Sequence, residues 1–507
     1  MSRLNASLPA LRPGVYDRVI RALELFLLTL FVAGLLLIGV FATWTDSAPF
    51  WIGAPLLWLC AGGGLITLLV PLRGAVSKAC AAAMGVFAAY IIARAGMSEV
   101  KYLARPDLVF AITAFLAWVS VVTCFTTPKK RYVLLIALFL LVAANFGMGL
   151  YQRYVDPTAN ALSFKGFERN YSDAVFGGFY PNSNHLAGFM ELIGFIALAL
   201  AVFGRIHSFV RVLCAGVFLM AAAGTVLSTS RAGLVAMLAG LVLMGVISGV
   251  LYMVRRQGRA GGKAMLIVLA SLLMVGSVGG VGWKVLERQF GNGKVTADLA
   301  NLNGREQIWE RAVEQWQVQP LVGTGARSFE YYERKLRSMS TPWVTWSGDQ
   351  EVDALFAHND WLQLLADYGL AGLILAVVLL LLHGGRGLGW IFSQAAGRGT
   401  RSGDEGLFSD YRGAVVLGTL CGLSAFAIHC LGDFQMHTGI NAVTAACLLG
   451  FLANPGSSET ERPPPGGPQP PAHFLCPPCR RIGRMDALFL SPLDAWRLAL
   501  PGRQKAL

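Results

Sequence analysis

The chain has 507 residues, 55% of them hydrophobic and 14% charged, with a formal net charge of +13. A balance this apolar excludes an ordinary soluble globular domain, in which about 25% of residues are charged. The excess of Lys and Arg sits in loops between apolar runs, so it signals membrane topology and not a nucleic-acid partner.

In chain order, a basic N-terminus (1–23) precedes apolar runs near 24–43, 50–70, 77–93, 108–126, 132–152, 185–203, 208–228, 232–253 and 264–283. A polar segment, 284–360, follows; three further runs at 362–382, 413–431 and 437–454 make up 361–454. A helix crosses a bilayer in about 20 residues. The expected fold is an all-α polytopic membrane protein of about 12 transmembrane helices, nine before the polar segment and three after it. The first run is too long for a cleavable signal peptide, and no small-residue cleavage site follows it. Residues 455–507 turn Pro- and Arg-rich, which predicts a disordered cytoplasmic tail. His473, Cys476 and Cys479 lie in it without a fourth ligand nearby, so a bystander pair is favoured over a metal or redox site.

Basic residues collect in loops that stay in the cytoplasm. Arg73 and Lys78, Lys129 to Arg131, Arg205 and Arg211, Arg255 to Lys263, and Arg386 to Arg412 share one loop parity with the N-terminus. Both termini are then cytoplasmic, and 94–107, 153–184, 228–231, 284–360 and 432–436 face outward. Arg94, Lys101 and Arg105 alone run against that assignment.

Unusual polar residues accumulate on the outward parity. Ser228-Thr229-Ser230-Arg231-Ala232-Gly233 is a minimal connection that fixes an arginine at the membrane boundary. Arg231 reads either as a residue snorkelling to headgroup phosphates or as a bidentate grip on a substrate phosphate. Within the polar segment, Asn303 and Glu306 have capping-box spacing, and Trp309, Ala312, Val313 and Trp316 recur at helical intervals. That predicts an amphipathic helix, ended by Pro320, Gly323 and Gly325, that lies on the membrane or covers a cavity. Arg305, in its first turn, opposes the helix dipole; it suits an anion site or pairs with Glu306 or Glu310. His358 precedes the cap residues Asn359 and Asp360, and Gly369 and Gly372 thin the helix that follows. Asn182, Asn184 and His185 before one helix, and His429, Asp433, Gln435, His437 and Asn441 around the last outer turn, each read singly as packing or solvation residues but together put several polar groups on one side of the membrane.

These motifs together resemble the O-antigen ligase and O-antigen polymerase family. They are Phe176 to Gly188, Ser228 to Gly233, Gly304-Arg305 with Trp309 and Pro320 to Gly325, His358 to Gln363, and His429 with Asp433-Phe434. The resemblance covers roughly 130–455 and leaves the Pro-rich tail without a counterpart. It implies a GT-C-like, metal-independent, inverting glycosyltransferase with no cofactor, working on the periplasmic side of the bacterial inner membrane. The donor would be a glycan on undecaprenyl diphosphate, and the acceptor a glycan, lipid A core or protein. By motif, Arg231 and Arg305 would hold the diphosphate and His358 would be catalytic; on chemical grounds Asp433 or Asp360 would orient its imidazole. His185, Asn184, His429 and His437 would support the site or bind acceptor.

Chemistry of this kind needs the leaving diphosphate stabilised and a base for the acceptor hydroxyl. A solute transporter is the rival reading, yet its site should lie near the bilayer midplane, whereas these residues crowd one boundary. A noncatalytic envelope-assembly scaffold is the third, against which the ordered Arg231 and His358 motifs speak.

Overall fold

The computed structural model describes residues 13–41, 76–159, 176–255, 261–290, 305–340, 354–396, 407–408 and 410–456. Among these the secondary structure is helical: α1 (Pro13–Phe41), α2 (Lys78–Gly96), α3 (Lys101–Thr123), α4 (Pro128–Tyr154), α5 (Ser183–Phe203), α6 (Ser208–Leu227), α7 (Arg231–Arg255), α8 (Gly261–Phe290), α9 (Arg305–Val318), α10 (Phe329–Ser340), α11 (Asp360–Ala396), α12 (Tyr411–His429) and α13 (Gly439–Ala453). Nine of the described helices are long and apolar enough to cross a membrane, and Leu25–Phe41 and Gly439–Ala453 are shorter apolar helices. Each expected run that falls on described residues is a helix; 50–70, Asn303, His473, Cys476 and Cys479 lie outside them.

The centre of the bundle is the α5–α12 pair. Both are 83% buried along their apolar windows, against 6% for α8, which therefore has its apolar surface turned outward. Small residues let the central pair approach: a Cβ on Gly422 of α12 would come within 2.6 Å of the Leu192 carbonyl of α5.

One helix is broken, and the break anchors the polar segment. Gly369 in α11 has φ 66° and ψ −175°, a conformation that only glycine adopts without strain. The backbone groups released there are paired by residues 320–325: Leu370 N–H to Pro320 O (2.9 Å), Ala371 N–H to Leu321 O (3.0 Å) and Gly325 N–H to Asp367 O (2.8 Å). Gly369 thus makes the seam that carries α9, beyond the thinning its position suggested.

The buried face of α9 is one residue away from the face its tryptophans predict. Ile308, Arg311, Ala312 and Gln315 are buried, while Trp309, Val313 and Trp316 are half-exposed. Polar bonds decide this: the Gln315 amide donates to Asp367 Oδ1 (2.9 Å), Thr324 Oγ1 (2.7 Å) and Ser328 Oγ (3.0 Å). Around it Ile308, Ala312 and Phe329 pack on Ala357 and Ala366. The helix is docked on the bundle through this face.

The segments assigned outward by charge parity meet at one end of the bundle. Tyr332 donates to Glu99 (3.0 Å), Arg327 pairs with Asp107 (2.6 Å), and Arg94 donates to the Gly323 carbonyl (2.5 Å). At least one of the three cations that ran against the parity therefore has a structural use. At the opposite end, buried Arg131 donates to the carbonyls of Phe125 (2.8 Å), Asn454 and Pro455. Arg412 bonds Asp410 and Gly456, and Arg255 bonds Leu407.

Candidate active site

The site is built on the turn after α12, residues 430–438. Its backbone is tied to the start of α11, where Asp360 N–H donates to the carbonyls of Cys430 (2.9 Å) and Asp433 (3.2 Å). Asn359 caps α11, its Oδ1 accepting from Trp361 N–H (3.0 Å) and Leu362 N–H (3.1 Å). His358, just outside that cap, has φ 49°, a left-handed backbone uncommon for any residue but glycine. This places its Nδ1 3.4 Å from Oδ1 of buried Asp433. Burial disfavours the Asp433 anion, but the contact with His358 and the charges of His185, His358 and His429 outweigh it and hold the carboxyl well below the usual carboxylate range. Asp433 is therefore an anion at neutral pH beside the imidazole.

The two arginines approach the same turn. The Ser230 hydroxyl caps α7 by accepting from Gly233 N–H (3.1 Å), so Arg231 is the first residue of that helix. Arg305 opens α9 and donates from Nη1 to the Gly432 carbonyl (2.5 Å). A Cβ on Gly432 would meet Ala232 Cβ at 2.9 Å and Arg305 Nη1 at 3.7 Å, which puts the start of α7 and the Arg305 guanidinium on one glycine. Burial lowers the pKa of Arg305; Asp433 works against that and the neighbouring charge of Arg231 with it. The buried Arg305 Nε has no hydrogen-bond partner among the described residues. A donor left in that state, beside a second guanidinium, suits an incoming anion.

Residues 215–377 match the family model described as O-antigen ligase. The match supports the resemblance to the O-antigen ligase family over this stretch. The matched stretch runs from α6 into α11 and contains Arg231, Arg305 and His358, while α5 and the 430–438 turn lie outside it. No curated protein matches the chain. Together with the nine apolar helices among the described residues, the match supports a multi-pass membrane protein with an O-antigen ligase-like, glycosyltransferase-like role in surface polysaccharide biosynthesis.

Of the other residues that the sequence suggested for an O-antigen ligase, Asp360 belongs with His437 more than with His358. Its Oδ1 accepts from His437 Nδ1 (3.0 Å) and its Oδ2 from Met436 N–H (2.9 Å), while Gln363 Nε2 donates to His437 Nε2 (3.2 Å). Of the two acids considered as partners of His358, Asp433 is the one in contact. His185 is buried edge-on to Phe434 (4.6 Å), with no hydrogen-bond partner for either ring nitrogen among the described residues. Asn184 contributes its carbonyl, which accepts from Gln435 Nε2 (2.9 Å).

Sequence reasoning missed Glu191, Arg327 and Phe356. Phe356 stacks on Phe434 (4.4 Å), whose edge meets the His358 ring (4.7 Å); Arg327 lies over Phe356 (5.4 Å). Nothing in the spacing of Arg327 marks it, but Glu191 is the sole acid in the apolar run 183–203 and was legible as such. Beside the site, a cavity of about 250 Å³ lies among α2, α3, α11, α12 and α13, apolar except for Asp107, Asp360, Gln363, Asp367 and His437.

Proposed function

We propose that this protein transfers a glycan from an undecaprenyl diphosphate carrier to an acceptor hydroxyl, at the periplasmic face of the bacterial inner membrane. The observation that carries the reading is the convergence of Arg231, Arg305 and the His358–Asp433 pair on one turn. A diphosphate held by the two guanidiniums keeps its anomeric carbon beside the imidazole. Asp433 favours the His358 tautomer with the proton on Nδ1, so that Nε2 takes the acceptor proton. The acceptor oxygen bonds to the anomeric carbon as the carbon–phosphate oxygen bond breaks, the electron pair leaves with the diphosphate, and configuration inverts. The guanidiniums stabilise the charge that develops on the leaving oxygen. Transfer on this reading is metal-independent, the two guanidiniums supplying the charge stabilisation that a metal ion would otherwise give.

The termini are cytoplasmic on this reading, with 24–283 and 361–454 as membrane domains, 284–360 as the outer segment and 455–507 as a tail. A deletion strain tests the function through its surface glycans and carrier-linked pool. Long polymer accumulating on the carrier identifies a ligase, accumulating single repeats a polymerase, and an unchanged glycan profile overturns both.

A further inference from the structure

Near the two arginines, inside the bundle, lies a buried acid–imidazole pair that the proposed chemistry leaves unused. Glu191 of α5 and His429 of α12 are both 0% exposed, with His429 Nδ1 3.1 Å from Glu191 Oε1 and 3.2 Å from Oε2. The other ring nitrogen, Nε2, is 3.0 Å from Gln435 Nε2 and 3.3 Å from Ser230 Oγ.

The protonation of this ring follows from its neighbours. Gln435 donates from Nε2 to the Asn184 carbonyl (2.9 Å) and accepts at Oε1 from Asn441 Nδ2 (3.1 Å), so its amide orientation is set. Asn441 is set in turn, donating to the His185 carbonyl (3.1 Å) and accepting from the Tyr180 hydroxyl (2.9 Å). Because Gln435 presents N–H to His429 Nε2, that nitrogen accepts, and the ring proton sits on Nδ1 facing Glu191. Nε2 then accepts from the Ser230 hydroxyl as well. Ser230 is the cap of α7 and the residue before Arg231; Gln435 follows Asp433 by two.

A single imidazole thus joins the helix that begins with Arg231 to the turn that holds Asp433 and His358. Room for the carboxylate comes from Gly233 in the first turn of α7, where a Cβ would lie 3.1 Å from Glu191 Oε1.

We infer that Glu191 is a positioning residue: acting through His429, it fixes the separation between the phosphate-holding end of α7 and the His358–Asp433 base. This rests on the proposed transfer reaction. Holding reacting groups in register is worth large factors, since displacement of about 1 Å costs on the order of 100-fold.

The test uses the full-length membrane protein with two readouts, surface glycan transfer on complementing a deletion strain and binding of undecaprenyl diphosphate to the purified protein in detergent. Glu191→Ala is expected to lower transfer by about 10- to 100-fold while undecaprenyl diphosphate binding stays within about 3-fold of wild type. Glu191→Gln, which still offers an acceptor to Nδ1–H, restores transfer to within about 5-fold of wild type. Ser230→Ala removes only one hydroxyl and keeps the inference testable if Glu191→Ala does not accumulate; it should show the same split at about 3- to 10-fold. Wild-type transfer in Ser230→Ala and Glu191→Ala, or transfer and binding falling together in both, overturns the inference. Absence of transfer by the wild-type protein overturns the transfer reading instead.

Discussion

The two ends of the helical bundle use arginine in opposite ways. Away from the site, Arg131, Arg255 and Arg412 each lie on carbonyls presented by neighbouring segments, and Arg412 also meets Asp410. Those guanidiniums complete the hydrogen bonding of chain segments next to helix ends, so they join helices. At the site end, Arg305 lies in the field of Arg231, bonds one carbonyl and leaves a buried Nε donor without a partner among the described residues. A buried donor without a partner beside a like charge costs stability, and on the proposed function the carrier diphosphate offsets that cost. The environment of an arginine, and not its depth at a membrane boundary, thus separates the fasteners from the residues proposed to hold the diphosphate.

The largest expected effects fall on the site end. His358→Ala and Arg231→Ala should each abolish transfer while the protein remains inserted, as read by surface glycan profile and membrane fractionation; full activity in either removes that residue from the mechanism. Arg305→Ala should lower transfer by about 10- to 100-fold and weaken undecaprenyl diphosphate binding, with Arg305→Lys only partly restoring both because a lysine lacks the planar fork. Equal activity of the lysine variant and the wild type would show that charge alone suffices.

The seam at Gly369 comes next. Its left-handed backbone and the 2.5 Å approach of a Cβ to Gly323 N predict that Gly369→Ala lowers the melting temperature and transfer together. An unshifted melting curve would mean that the loop and the α11 break are not one unit.

A smaller, pH-dependent effect concerns Asp433. Its carboxyl is held below the usual range, so its stabilising contribution is fully present above the ordinary Asp value of about 3.9 and is lost only as pH falls through the lower folded value. The melting-temperature difference between wild type and Asp433→Asn should therefore stay constant from pH 8 to about pH 5 and shrink only at more acid pH. A difference that already shrinks between pH 7 and pH 6 would assign the linkage to a histidine. Smallest in transfer is Arg255→Ala at the opposite end, expected to lower stability by about 1 to 2 kcal/mol without changing transfer per folded molecule.

The helical architecture was legible beforehand because membrane helices declare themselves by apolar length, and Arg231 and His358 stood out as candidates because they sit in short motifs at helix starts. The α9 face was misread, since Trp309 and Trp316 outweigh Ile308 and Ala312 in any hydrophobic count while the glutamine that sets the face, Gln315, is polar. The choice between Asp360 and Asp433 was also closed to sequence: both lie near histidines, and only the fold pairs one with His437 and the other with His358.

By itself, then, the sequence determined that the chain is an all-helical membrane protein and which boundary gathers its polar residues, because lipid permits few alternatives to helices for a backbone that must satisfy its own hydrogen bonds. The tertiary structure alone decided partnership. Residues as distant in sequence as Glu191, Ser230 and His429, or Arg305 and Gly432, meet only when the helices pack, and hydrogen bonds act over about 3 Å, a scale that sequence spacing does not encode.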